Sequence, residues 1–97
     1  MGTGKPVVLR ARAQSDAYGI YDYYNEVAGK TVTDRVVSDI LATLERIGDF
    51  PDSGANLENG TQMTVTTRYR FAILFKHRPE RIEVLSIFRH QDRLPRP

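Results

Sequence analysis

The stretch YRFAILFKHRPERIEVLSIFR, residues 69–89, decides the fold. Two runs rich in aromatic and β-branched residues, Tyr69–His77 and Ile82–Arg89, flank a polar turn, Arg78–Arg81, that holds Pro79. Such runs around a short turn predict two antiparallel strands. In the first, Tyr69, Phe71, Ile73 and Phe75 point one way, and Ala72 and Leu74 the other. In the second, unbroken alternation sets Ile82, Val84, Ser86 and Phe88 against Leu85 and Ile87. A sheet wetted on one side alternates cleanly between apolar and polar residues. These strands are apolar on both faces near their middles. One face is therefore expected to pack on helices and the other to meet a further surface, with another protein favoured over the short Pro-rich tail, Gln91–Pro97.

Upstream, Met63–Thr67 continues the period of two and predicts a third strand. The turn-forming run 51–62 is expected to be loop. Before it, two helical stripes appear. Ala13, Ala17, Ile20, Tyr24 and Val27 recur at helical spacing up to Gly29, with Asp22 and Glu26 pointing away. Val36, Ile40, Leu44 and Ile47, flanked by Val37 and Leu41, form the second stripe, which Gly48 and Pro51 end. Thr31, with Asp34 three positions on, is expected to cap the second helix. So short a link makes the helices an antiparallel hairpin. Pro6–Ala11 predicts an opening strand at an edge of the sheet or beside a central strand. The expected class is α+β in the order β-α-α-β-β-β, a helical hairpin on one face of a mainly antiparallel four-stranded sheet.

The chain has 97 residues, and no part of it repeats. Residues 1–5 are expected to be a flexible lead and 6–97 one domain. The lead's Gly-Thr-Gly-Lys lacks the spacing of a phosphate loop, and Pro6 replaces the Ser or Thr that should follow the lysine. There is no cysteine, hence no disulfide, thiolate nucleophile or Cys-based zinc site, which suits a cytoplasmic location. No run reaches the length of a membrane span. His77 has no second histidine at ligand spacing, and no metal or cofactor is expected. Charge is uneven. Residues 1–60 carry six Lys/Arg against nine Asp/Glu, whereas 61–97 carry eight against three, so the second half should face something negative.

Several segments together resemble the ParE-type toxins of the RelE/ParE toxin–antitoxin superfamily. Leu9-Arg10-Ala11-Arg12-Ala13-Gln14-Ser15-Asp16 followed by Ile20-Tyr21-Asp22-Tyr23-Tyr24 is similar to that family's opening helix. Leu44-Glu45-Arg46-Ile47, then Phe50-Pro51 and Gly54, resembles the close of its second helix. Tyr69-Arg70-Phe71, Ile82-Glu83-Val84-Leu85, Arg89-His90 and Arg93 resemble its last strands. The likeness runs from Val7 to Arg93. It implies the same β-α-α-β-β-β fold and a bacterial toxin of a type II pair. The partner it implies is a ParD-like antitoxin with a DNA-binding ribbon-helix-helix and a segment that wraps the toxin, so that DNA is contacted only through the antitoxin.

Within that superfamily ParE-like members block DNA gyrase, and RelE-like members cleave messenger RNA on the ribosome. Metal-free RNA cleavage needs a base, cations for the phosphate and an acid for the leaving oxygen. By the resemblance, Arg70 matches the phosphate-stabilising arginine and His90 the place of a general acid, so these two would be catalytic in a nuclease. Gln91, however, stands where a catalytic Tyr follows, Gln62 where many relatives have Arg, and Thr61–Thr67 holds no basic residue. The expectation is a binding protein rather than an enzyme, with Arg70, Arg89, His90 and Arg93 as the rim that meets the target. Arg70 has the plainer alternative of pairing with Asp92 or Glu83. Tyr18 lies about 140° from Ala13 on the helical wheel, and Tyr21 lies at the stripe's margin. With Val37, Leu41 and Leu74 they are the candidate antitoxin contacts.

Overall fold

The computed structural model describes residues 4–89. Strand β1 (Val7–Leu9) leads directly into helix α1 (Ala11–Val27) and helix α2 (Lys30–Asp49). Short strand β2 (Ala55–Asn56) follows, then β3 (Thr61–Val65), β4 (Phe71–His77) and β5 (Ile82–Arg89). The sheet order is β1-β5-β4-β3-β2, with β1 parallel to β5 and every other pair antiparallel. The α+β class and element order match the sequence expectation, but there are five strands, not four. The extra one, β2, is two residues within the expected loop, pairing Ala55 with Met63 and Asn56 with Gln62.

The helices lie on one face of the sheet. Val36, Ile40, Leu44 and Ile47 of α2 and Ala13 of α1 are buried against Phe71, Ile73, Phe75, Ile82, Val84 and Ile87. Ala17, Ile20 and Tyr24 pack at the border of this core, and Tyr24 meets Phe71 edge to face at 6.2 Å. Val27, placed on the same stripe by its spacing, is instead exposed at the last residue of α1, one turn past Tyr24.

Gly29 turns the chain between the helices at φ +87°, a conformation that costs glycine little. Its carbonyl accepts from both the amide and the hydroxyl of Thr33, at 3.1 and 2.8 Å. The expected Thr31–Asp34 cap does not form. α2 already begins at Lys30, so Thr31 lies inside the first turn, and Asp34 pairs with Lys30 at 3.0 Å.

The strand boundaries move slightly as well. β1 is shorter than expected because α1 starts at Ala11. β3 lies two residues earlier, and β4 begins at Phe71, since Thr66–Arg70 forms the connecting turn.

A bulge corrects the face assignment in β5. Leu74 pairs with Ser86 while Phe75 pairs with Val84, leaving Leu85 as the extra residue. Alternation shifts there, so Ile87 joins Ile82 and Val84 in the core, and Ser86 and Phe88 fall on the opposite face. That face also carries Ala72 and Leu74, with Met63 and Val65 as their partners on β3. Its apolar side chains are half-buried, apart from the fully buried Ala72.

Candidate functional site

The largest exposed apolar side chains lie mostly on the helices, not on the open sheet face. Leu9 at the end of β1, Ala17, Tyr18 and Tyr21 of α1, and Val37 of α2 line a groove of about 480 Å³, with Gln14 and Asp22 at its polar edge. It adjoins a narrower apolar cleft of about 110 Å³, which shares Leu9, Ala17 and Val37 and reaches Leu41 and Leu44. Helical spacing explains the arrangement. Tyr18 and Tyr21 are three residues apart on one face of α1, Val37 and Leu41 four apart on α2, and the hairpin brings the two faces together. Tyr18 is 71% exposed and Leu41 58%. Thus Tyr18, Tyr21, Val37 and Leu41 share one apolar surface, while Leu74 sits apart on the far side of the sheet.

The basic rim forms at one end of the β4–β5 hairpin. Arg70 directly precedes β4 in a left-handed conformation, φ +61°, which a non-glycine residue seldom adopts. Phe71 pairs with Arg89, so Arg70 and Arg89 lie at the same end of adjacent strands. Arg89 also lines an open groove of about 530 Å³ with Asp16, Tyr23, Tyr24 and Phe71. His90 and Arg93 lie outside the described residues.

The family model for the ParE toxin of the type II toxin–antitoxin system parDE matches residues 7–94. The chain belongs to the ParE toxin family. Among solved structures it is similar to the chromosomal ParDE toxin–antitoxin system from P. aeruginosa. That likeness has 22% identity and a TM-score of 0.76, and covers 89% of this chain and 96% of that one. No curated protein matches the sequence significantly.

Around this ParE-family toxin's rim are two carboxylates, Asp39, which the sequence does not single out, and Asp16, which entered only through the family resemblance. Asp39, buried on α2, accepts from the backbone amides of Tyr69 at 2.8 Å and Arg68 at 3.2 and 3.3 Å. Thr66 closes the same turn, its hydroxyl accepting from Phe71 N–H at 2.9 Å and its amide donating to Phe71 O at 2.8 Å. Together they hold Arg70 in its left-handed conformation. Asp16 of α1 accepts from Ile87 N–H at 3.0 Å, beyond the point where the short β1 leaves the β5 edge. No sequence signal gives these residues their partners, because the partners are backbone groups far along the chain.

A denser cluster occupies the opposite end of the sheet. Glu83 has an 8% exposed side chain and meets three arginines: Arg81 at 2.6 and 3.0 Å, Arg78 at 3.4 Å and Arg10 at 3.6 Å. Arg81's hydrogen bond, helped by Arg78 and Arg10, holds the carboxyl below its ordinary value of 4.5, against the opposing effect of burial. Arg70 is therefore not Glu83's partner, and its other suggested partner, Asp92, lies outside the described residues. Nearby, His77 lies 2.6 Å from Lys5 Nζ and 3.4 Å from Asp52. Gln62 is buried on the core side of β3 opposite Phe75, so its side chain does not face a substrate across the open sheet. Among the described residues, no helix is long and apolar enough to cross a membrane.

Proposed function

We propose that this toxin inhibits DNA gyrase by protein–protein binding in the bacterial cytoplasm. A ParD-like antitoxin neutralises it by laying an apolar segment along the groove between α1, α2 and β1. The observation that carries this reading is that groove. Five largely apolar residues of three elements, Leu9, Ala17, Tyr18, Tyr21 and Val37, converge on one open channel, with Leu41 continuing it. Leaving such surface in water is unfavourable, and Tyr is common where partners dock. Leu74, half-buried on the open sheet face, would be met by a segment that wraps to the far side of the sheet. Arg70 and Arg89, at one end of the β4–β5 hairpin, are the described part of the rim proposed for the target.

Binding rather than cleavage is supported by β3. Thr61–Val65 offers no cation to a scissile phosphate, and Gln62 turns inward. The test is controlled expression, with plasmid supercoiling, chromosome breaks and message integrity followed together. Gyrase-dependent breaks with intact messages are expected, and co-expressed antitoxin should suppress them. Codon-positioned message cuts abolished by Arg70→Ala would replace this reading with the RelE-type ribosome-dependent endoribonuclease. Unimpaired growth would remove the toxin activity altogether.

A further inference from the structure

The Glu83 cluster is not used by either surface described above. One carboxylate gathers guanidinium groups from the β1–α1 junction (Arg10), the end of β4 (Arg78) and the start of β5 (Arg81). Lys76 stands opposite Glu83 in the β4–β5 register, and Lys5 donates to the Arg78 carbonyl at 3.0 Å. Three arginines thus meet one carboxylate with Lys76 and Lys5 close by, against Glu80 in the adjoining turn and Asp52, which lies 3.4 Å from His77. Each guanidinium carries five N–H donors; Glu83 takes two of Arg81's and one of Arg78's, and it meets Arg10 only as an ion pair at 3.6 Å. The three arginine side chains remain 45–56% exposed, so their unused donors reach solvent.

We infer that this cluster is a preset platform for phosphate groups of a nucleic-acid backbone. Guanidinium forks match phosphate oxygens, and Glu83 already holds Arg78 and Arg81 by hydrogen bonds, which lowers the ordering cost of binding. The three guanidinium groups lie within 3.6 Å of one carboxylate, at the β1–α1 junction and beside the ends of β4 and β5, so they present one compact cationic patch to a phosphate backbone. An acidic peptide fits less well. Peptide sites draw on several apolar anchors, whereas of Glu83's two register partners, Val8 and Lys76, one alone is apolar. The inference needs neither the antitoxin nor the gyrase reading. It adds a direct, sequence-independent contact to nucleic acid, which the resemblance assigned to the antitoxin alone.

The full chain is titrated with a short fluorescein-labelled DNA duplex over a range of salt concentrations, and anisotropy is read. Arg10→Gln, Arg78→Gln and Arg81→Gln should each weaken binding and lower the slope of log affinity against log salt by about 0.9. Arg35→Gln on α2 should change neither. Parallel titrations with inorganic phosphate and a polyglutamate peptide follow the arginine Nε–H signals by NMR. Unchanged slopes in the three variants, or an equal loss in Arg35→Gln, overturn the proposal. So do shifts caused by polyglutamate or free phosphate in a chain that does not bind the duplex.

Discussion

Asp39 fixes the β3–β4 turn with a single side chain. Its carboxylate serves two backbone amides that would otherwise lie partly buried without acceptors. A hydrogen bond to a charged group contributes about 1.5–3 kcal/mol, and the orphaned donors add a cost of their own. Asp39→Ala should therefore lower stability by about 2–3 kcal/mol, read as a reduced urea midpoint. It should also free Arg70 to leave φ +61°, seen as lost amide protection over 66–71. Glu83 gives a prediction in pH. Its folded value is depressed, so its contribution is complete above the ordinary 4.5 and fades as pH falls through the lowered value. Between pH 5 and acid, the native chain should lose stability more steeply than Glu83→Gln, which has no such carboxylate to protonate. A native acid limb no steeper than that of the variant would show that the arginines do not favour the folded carboxylate. Neither residue was legible in these roles. Asp39 reads as an ordinary polar helix position, and Glu83 entered as part of a strand segment resembling the family and as a possible partner for Arg70.

At the scale of elements, the hydrophobic stripe of α2 and the period of β4 were legible because burial against a sheet imposes them directly. The face switch in β5 was not. Ile82-Glu83-Val84-Leu85-Ser86-Ile87 is compatible with either parity, and only pairing with β4 reveals Leu85 as the bulged residue. The α2 start was misread because Thr31 is a favoured N-cap type, whereas the two-residue link makes Gly29 the N-cap, with no side-chain cap bond, and the Thr33 hydroxyl donates back to its carbonyl. Two helical glycines show how tertiary space overrides propensity. A Cβ on Gly19 of α1 meets nothing within 4 Å, whereas one on Gly48 of α2 would lie 2.9 Å from the Lys5 carbonyl oxygen and 3.1 Å from Val7. Gly19→Ala should raise stability by about 0.5–1 kcal/mol through helix propensity. Gly48→Ala should lower it by about 1–3 kcal/mol as β1 is pushed from α2. Thermal melts of the two variants check the opposite signs.

For the molecule as a whole, the asymmetry of its layers matters most. Two helices roof one side of the sheet, and the hairpin's own outer surface, not the open sheet face, carries the most exposed apolar side chains. The sequence pointed to excess apolar surface but placed its centre on the sheet, since alternation exposes a strand's second face more plainly than a wheel exposes a groove shared by two helices. The consequence is testable with matched positions. Leu41 and Val27 are both 58% exposed, yet Leu41 lines the cleft that adjoins the groove and Val27 stands at the end of α1. Leu41→Lys and Val27→Lys should each change stability by less than about 1 kcal/mol, because neither side chain fills the core. Only Leu41→Lys places a charge where an apolar antitoxin segment would seat. It should weaken the toxin–antitoxin complex by about tenfold or more, the loss of one central apolar contact. In cells co-expressing the antitoxin, growth should then fail with Leu41→Lys and continue with Val27→Lys. Equal affinity of both variants for the antitoxin would remove the groove from the interface and shift attention to the Leu74 face.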